Sequence, residues 1–121
     1  MTVREATDKA DALFPNMCAY RDKAAWLSEL DMKTDKEFFS YFSDNERHFE
    51  GGYSASPEAE LIIPEPFCQC YVYFLAMRSA LSEGDVAGYS NFSQLFANEY
   101  LAFRNHYSRV HTFRPLGIKL N

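Results

Sequence analysis

The chain is expected to fold as an all-α domain of four helices: a short first helix and three longer ones, the last two forming an antiparallel hairpin. Two observations carry this expectation. Val86, Tyr89, Phe92, Phe96, Tyr100, Phe103, Tyr107 and Val110 follow one another at intervals of three or four, the spacing of one stripe on a helix. Ahead of that run, Glu83-Gly84-Asp85 separates it from a second helical pattern, which is the connection expected between antiparallel neighbours.

From the N-terminus, Thr2-Val3-Arg4-Glu5 reads as a capping box, in which hydroxyl and carboxylate each satisfy a free backbone N–H. A first helix should follow, with Val3, Ala6, Ala10, Leu13 and Phe14 inward, ending at Pro15-Asn16. The second helix is expected over residues 20–42. Its buried face is marked by Trp26, Leu27, Leu30, Thr34, Phe38, Tyr41 and Phe42, while Asp22, Lys23, Glu29, Lys33, Lys36 and Glu37 point outward.

Residues 43–60 are the least regular stretch. Gly51-Gly52 suits the turn of a small hairpin, and the polar composition with Pro57 suits a loop. The expectation is an irregular arm at about 43–63 that gains order against a partner. Leu61-Ile62-Ile63 should be extended, since Pro64 restricts the residue before it, and Pro66 suits the first turn of the third helix. That helix should run to about Ser82 with Phe67, Tyr71, Phe74, Leu75, Arg78 and Leu81 in successive turns. Pro115 prevents the fourth helix from continuing into the tail, so the chain divides into a domain at 1–111 and a basic, partly apolar tail at 112–121.

A chain of 121 residues with 47% hydrophobic content fits one domain with a modest core, and 24% charged residues argue against disorder. The net charge of -5 disfavours a dedicated nucleic-acid binder. Charge is uneven: residues 1–60 hold seven basic and thirteen acidic side chains, whereas Arg104, Arg109, Arg114 and Lys119 close the chain with no acid among them. Such a tail either orients neighbours in an assembly or is simply solvated. Three cysteines do not suggest a disulfide framework, the N-terminal stretch does not read as a signal peptide, and no apolar run spans a bilayer. A reducing cytoplasm is therefore expected.

Taken in order, several segments resemble a known family. They are Asp11-Ala12-Leu13-Phe14-Pro15-Asn16, Trp26-Leu27-Ser28-Glu29-Leu30-Asp31 and Leu61-Ile62-Ile63-Pro64-Glu65-Pro66-Phe67. Tyr71-Val72-Tyr73-Phe74-Leu75-Ala76, Glu83-Gly84-Asp85, Tyr89-Ser90-Asn91 and Phe96-Ala97-Asn98 complete the set. Together they are similar to small proteins of prophages and long-tailed phages of Gram-positive bacteria, regarded as head–tail connector or head-completion adaptor proteins. The likeness covers residues 1–111. The chain departs from it at Cys68-Gln69-Cys70, at Phe38-Phe39 and from Arg114 onward.

The resemblance implies a mostly helical structural protein without catalytic residues or cofactor. It implies a homo-oligomeric ring, dodecameric when assembled, that joins the portal protein to the tail-completion or stopper protein at the head–tail junction. DNA enters only as channel contents. The candidate interface residues are Phe49, Tyr53, Tyr100, Arg104, Tyr107, Arg109, Phe113 and Arg114.

Chemistry finds little footing in the sequence. Cys68 and Cys70 lie two apart, about 200° around a helix, and do not grip one ion. His48, His106 and His111 lack the i,i+4 spacing of a zinc helix. Asp31 and Asp35 share a helix face but sit beside Lys33 and Lys36, so a solvated charged face is expected rather than an acid–base pair. Two rival readings stand beside the connector. One is a helical regulatory or adaptor protein of a mobile element, acting as monomer or dimer on a protein partner. The other is a ligand-binding bundle with a pocket among Tyr41, Tyr71, Tyr89 and Tyr100.

Overall fold

A computed structural model describes residues 1–114; expectations for residues 115–121 of the tail lie outside the described residues. The chain is all-α, with four helices: α1 (Val3–Leu13), α2 (Tyr20–Glu37), α3 (Gln69–Ser82) and α4 (Val86–Val110). A 3-10 turn, Phe39–Tyr41, follows α2.

The capping box starts α1: Thr2 Oγ1 accepts from the Glu5 N–H, and Glu5 Oε1 accepts from the Thr2 N–H. Val3, Ala6, Thr7 and Ala10 make its buried face. Leu13, expected inward, is exposed at the helix end, and Phe14 instead sets its ring edge-on against Phe92, 5.8 Å between centroids.

α3 is the central helix, packed by α1, α2 and α4. It begins at Gln69, not at Pro66. Pro66 lies in the preceding turn, behind a cis Glu65–Pro66 bond. α3 and α4 run antiparallel, since Phe67 meets His106 near one end and Phe74 meets Phe96 further along. The hairpin turns on Gly84, whose φ of 75° lies in the left-handed region that glycine enters freely. Asp85 then caps α4 by accepting from the Gly88 N–H at 2.9 Å.

Residues 38–42 do not continue α2 as expected. The helix ends at Glu37 and the chain tightens into the 3-10 turn. Four aromatics in five residues are mediocre helix formers, so packing decides the geometry. With this turn Phe38, Phe39 and Phe42 all bury their rings. Their centroids lie 5.5, 4.8 and 4.8 Å from that of Tyr107, and Phe38 and Phe39 also meet Phe103. Tyr41, expected to be buried, is displaced outward by the same turn and is exposed.

Lys23 also departs from expectation. It lies on the buried side, and its ammonium reaches Asp11 Oδ1 at 2.7 Å. Its position explains this, because Lys23 precedes Leu27 by four and Leu30 by seven on one face.

Residues 43–63 remain irregular, and the alternative of a small hairpin does not form. Among the described residues the β pairings outside helices are two isolated antiparallel bridges, Thr2 with Glu60 and Phe42 with Phe113. Nor does the segment wait for a partner to order it: Tyr53, Leu61, Ile62 and Ile63 are buried in the chain's own core.

Candidate functional site: the groove between the second and fourth helices

One polar row on α2 holds the irregular segment. Ser28, Asp31 and Asp35 stand at i, i+3 and i+7, one helix face. Each accepts a backbone N–H from the segment: Tyr53 to Ser28 Oγ at 3.0 Å, Ile62 to Asp31 Oδ2 at 3.1 Å, and Phe49 to Asp35 Oδ2 at 3.0 Å. Backbone groups that have no ladder of their own are thereby satisfied.

Asp31 is fully buried, against the expectation of a solvated face. Besides Ile62 it receives the hydroxyls of Tyr53 and Tyr71, each at 2.6 Å. Tyr71 in turn accepts the Ile63 N–H at 2.7 Å. Burial raises the Asp31 carboxyl to about 6, while the three donors pull the other way by favouring the ionised form. Burial also raises both tyrosine hydroxyls, which stay protonated donors beside the negative charge. The Cys68 thiol is pushed up to about 11 by burial and the Cys70 thiol well above its usual value, so both are neutral near pH 7. Asp31 is thus a structural hub closed off from solvent.

The open site lies on the other side of α2. Both α2 and α4 rest on α3, but their backbones do not meet. Between them runs a groove of about 840 Å³. Leu30, Phe38, Phe74, Phe96 and Tyr100 supply its apolar lining, and Glu29, Lys33, Glu37, Arg78 and Arg104 its charged rim. Tyr100 and Thr34 join the two helices through a 2.7 Å hydroxyl–hydroxyl hydrogen bond. Arg104 lies over the Phe38 ring, 5.0 Å from its centroid, and Arg78 lies over Trp26 while paired with Glu29 at 3.3 Å. A second, smaller groove of about 360 Å³ shares Glu37, Phe38 and Arg104 with the first and extends to Leu101, Asn105 and Phe113.

The eight candidate interface residues divide among several places. Tyr100 lines the groove and Arg104 forms its rim. Tyr53 and Tyr107 are core residues, a correction to their reading as surface contacts: Tyr53 binds Asp31, and Tyr107 donates to Asn45 Oδ1 at 2.6 Å. Phe49 packs edge-on against Tyr53 on the far side of α2. Arg109 is exposed in the last turn of α4. Phe113 lies against Phe42 with centroids 4.5 Å apart, and Arg114 binds the Ser40 carbonyl at 2.7 Å.

The pocket expected among Tyr41, Tyr71, Tyr89 and Tyr100 is not assembled. Tyr71 is sealed at the Asp31 hub, Tyr100 lines the larger groove, Tyr41 borders the smaller one, and Tyr89 is exposed near the start of α4. Among the described residues no group of three His, Cys, Asp or Glu is placed to hold a metal ion, and no helix is long and apolar enough to cross a membrane.

Leu30, Phe74, Phe96 and Arg78 were not read from sequence as site residues. The available signal was the width of the apolar arc on the fourth helix, which exceeds what one neighbouring helix covers. The groove offers apolar area and a rim of both charge signs, which suits a polypeptide segment. Comparisons with known protein families, with curated proteins and with solved structures find no match for this chain.

Proposed function

We propose that this protein is a structural assembly component, a head–tail connector that forms a ring between portal and tail-completion proteins. Its place is the head–tail junction of a virion, reached by assembly in the host cytoplasm. The observation that carries the reading is the incomplete cover of α4. This helix of 25 residues, about 37 Å long, packs its backbone closely against α3 alone among the described helices and touches α2 through the Tyr100–Thr34 hydrogen bond. Only Phe103 and Tyr107 are buried along it, while Val86, Leu95, Leu101 and Val110 stand exposed. A long helix with apolar residues outside its packed stripe suits burial by neighbouring subunits. The four-helix architecture and the sequence resemblance over residues 1–111 support the same reading.

In this reading the function is geometric. Subunits contact one another through α4, and the acidic residues of α2 repel DNA in the channel. The test is the solution mass of the complete chain by light scattering, alone and with the portal protein of the same genome. A multi-subunit complex in either condition, lost in Leu95→Asp, supports the connector. A monomer or dimer indifferent to the portal overturns it in favour of a regulatory adaptor.

A further inference from the structure

The groove between α2 and α4 joins an apolar lining to an excess of positive charge, in a chain whose net charge is -5. Lys33, Lys36, Arg78 and Arg104 stand on its rim against Glu29 and Glu37. Both acids are already engaged: Glu29 holds Arg78 at 3.3 Å, and Glu37 faces Lys33 at 4.0 Å. Among the described residues Lys36 and Arg104 have no carboxylate partner, and Arg104 covers the Phe38 ring instead. An occupant that brings apolar side chains together with carboxylates complements both features.

The chain carries such a surface at the start of α4. Residues 81–87, the tip of the α3–α4 hairpin, are all exposed. Leu81 and Val86, 57% and 79% exposed, flank Glu83 and Asp85, and no basic residue occurs from Ser79 to Phe103. Met17 joins them from the loop after α1: it is 94% exposed, and its N–H donates to Glu83 Oε1 at 3.1 Å. Three apolar side chains thus accompany two carboxylates on one projection.

The tip does not reach the groove of its own chain. Val86 and Phe96 lie on one continuous helix, ten positions and so about 15 Å apart. A tip seated in a groove therefore joins two copies. Because unlike surfaces meet, each copy keeps one of either kind free, which is the type of contact that closes into rings.

We propose that the groove receives the hairpin tip of a second copy of this chain, with Leu81, Val86 and Met17 on the apolar lining and Glu83 and Asp85 toward Lys36 and Arg104. The proposal rests on the ring reading and deepens it by naming the two surfaces that meet.

Two variants separate the surfaces. One reverses the groove, Lys36→Glu with Arg104→Glu; the other reverses the tip, Leu81→Lys with Val86→Lys. All four positions are exposed, so the core keeps its side chains. The tip variant, nitrogen-15-enriched and with its groove intact, is titrated with the unenriched groove variant, whose tip is intact. The amide signals of Lys33, Lys36, Phe96 and Arg104 are expected to shift or broaden progressively up to about 1 mM titrant, and the pair to sediment no further than a dimer. Signals that stay in place, shifts that fall elsewhere on the chain, or the same shifts with the tip variant as titrant overturn the proposal. The wild type and both variants are also mixed with the portal protein. A complex formed equally by all three overturns the tip contact and leaves the connector standing. The tip contact without any portal complex keeps the self-association and removes the connector role.

Discussion

Removing the Tyr71 hydroxyl tests the Asp31 hub at its most connected point. In Tyr71→Phe the ring that packs α3 is kept and one oxygen is lost. That oxygen does two things: it donates to Asp31 Oδ1 at 2.6 Å and accepts from the Ile63 N–H at 2.7 Å. Loss of a hydrogen bond to a charged group costs about 1.5–3 kcal/mol, and an orphaned buried N–H costs about 1–3 kcal/mol more. The expected destabilisation is therefore about 2.5–6 kcal/mol, a large share of a typical domain's stability. Tyr53→Phe is the matched control. Its hydroxyl makes only the 2.6 Å bond to Asp31 Oδ2, and that oxygen keeps the Ile62 N–H, so the cost is about 1.5–3 kcal/mol. Urea unfolding followed by the fluorescence of Trp26, the single tryptophan, measures both variants on the same scale. Equal losses, or a greater loss from Tyr53→Phe, would refute the argument that Tyr71 couples the hub to the backbone of the irregular segment.

Three further outcomes follow from the packing and the charges. The Asp31 carboxyl sits at about 6 when folded against 3.8 as its ordinary value, so the folded chain holds the extra proton between those limits. Its contribution to stability is full below about pH 4, is lost as pH rises through about 6, and amounts to about 3 kcal/mol in all. Urea unfolding of the wild type and Asp31→Asn from about pH 4.5 to 7.5 should show the asparagine variant gaining ground as pH rises; a flat difference contradicts the assignment. Phe103→Ala empties the centre of the aromatic cluster and should cost about 3–5 kcal/mol in urea unfolding, whereas the exposed Leu101→Ala should stay within about 0.5 kcal/mol. Gly84→Ala meets no atom within 4 Å but must keep a φ of 75°, so calorimetry should register a loss of about 1 kcal/mol arising from the backbone alone.

The helical architecture was legible because it rests on local periodicity. The stripe from Phe92 to Tyr107 gives α4, and Gly84-Asp85 gives the turn before it. The end of α2 was less accessible: apolar spacing alone permits a helix to Phe42, and the 3-10 turn arises from rings on α4 some sixty residues away. Asp31 was misread because Lys33, Lys36 and Asp35 around it suggest a wet surface. Its position still held a signal, since it stands four after Leu27 and three before Thr34, on the buried stripe itself. Its donors, Tyr53 and Tyr71, lie 22 and 40 residues away, beyond any local pattern. Part of the groove was legible, in Tyr100 and Arg104. The rest depends on α2 and α4 lying apart on α3, a tertiary fact that spacing does not encode.

Electron microscopy of a portal protein mixed with the 121-residue chain tests the proposed connector function most directly. Portal particles are expected to carry an added ring of density sharing the portal's rotational axis, absent when the chain bears Leu95→Asp. Portal particles indistinguishable from those without the chain would contradict it.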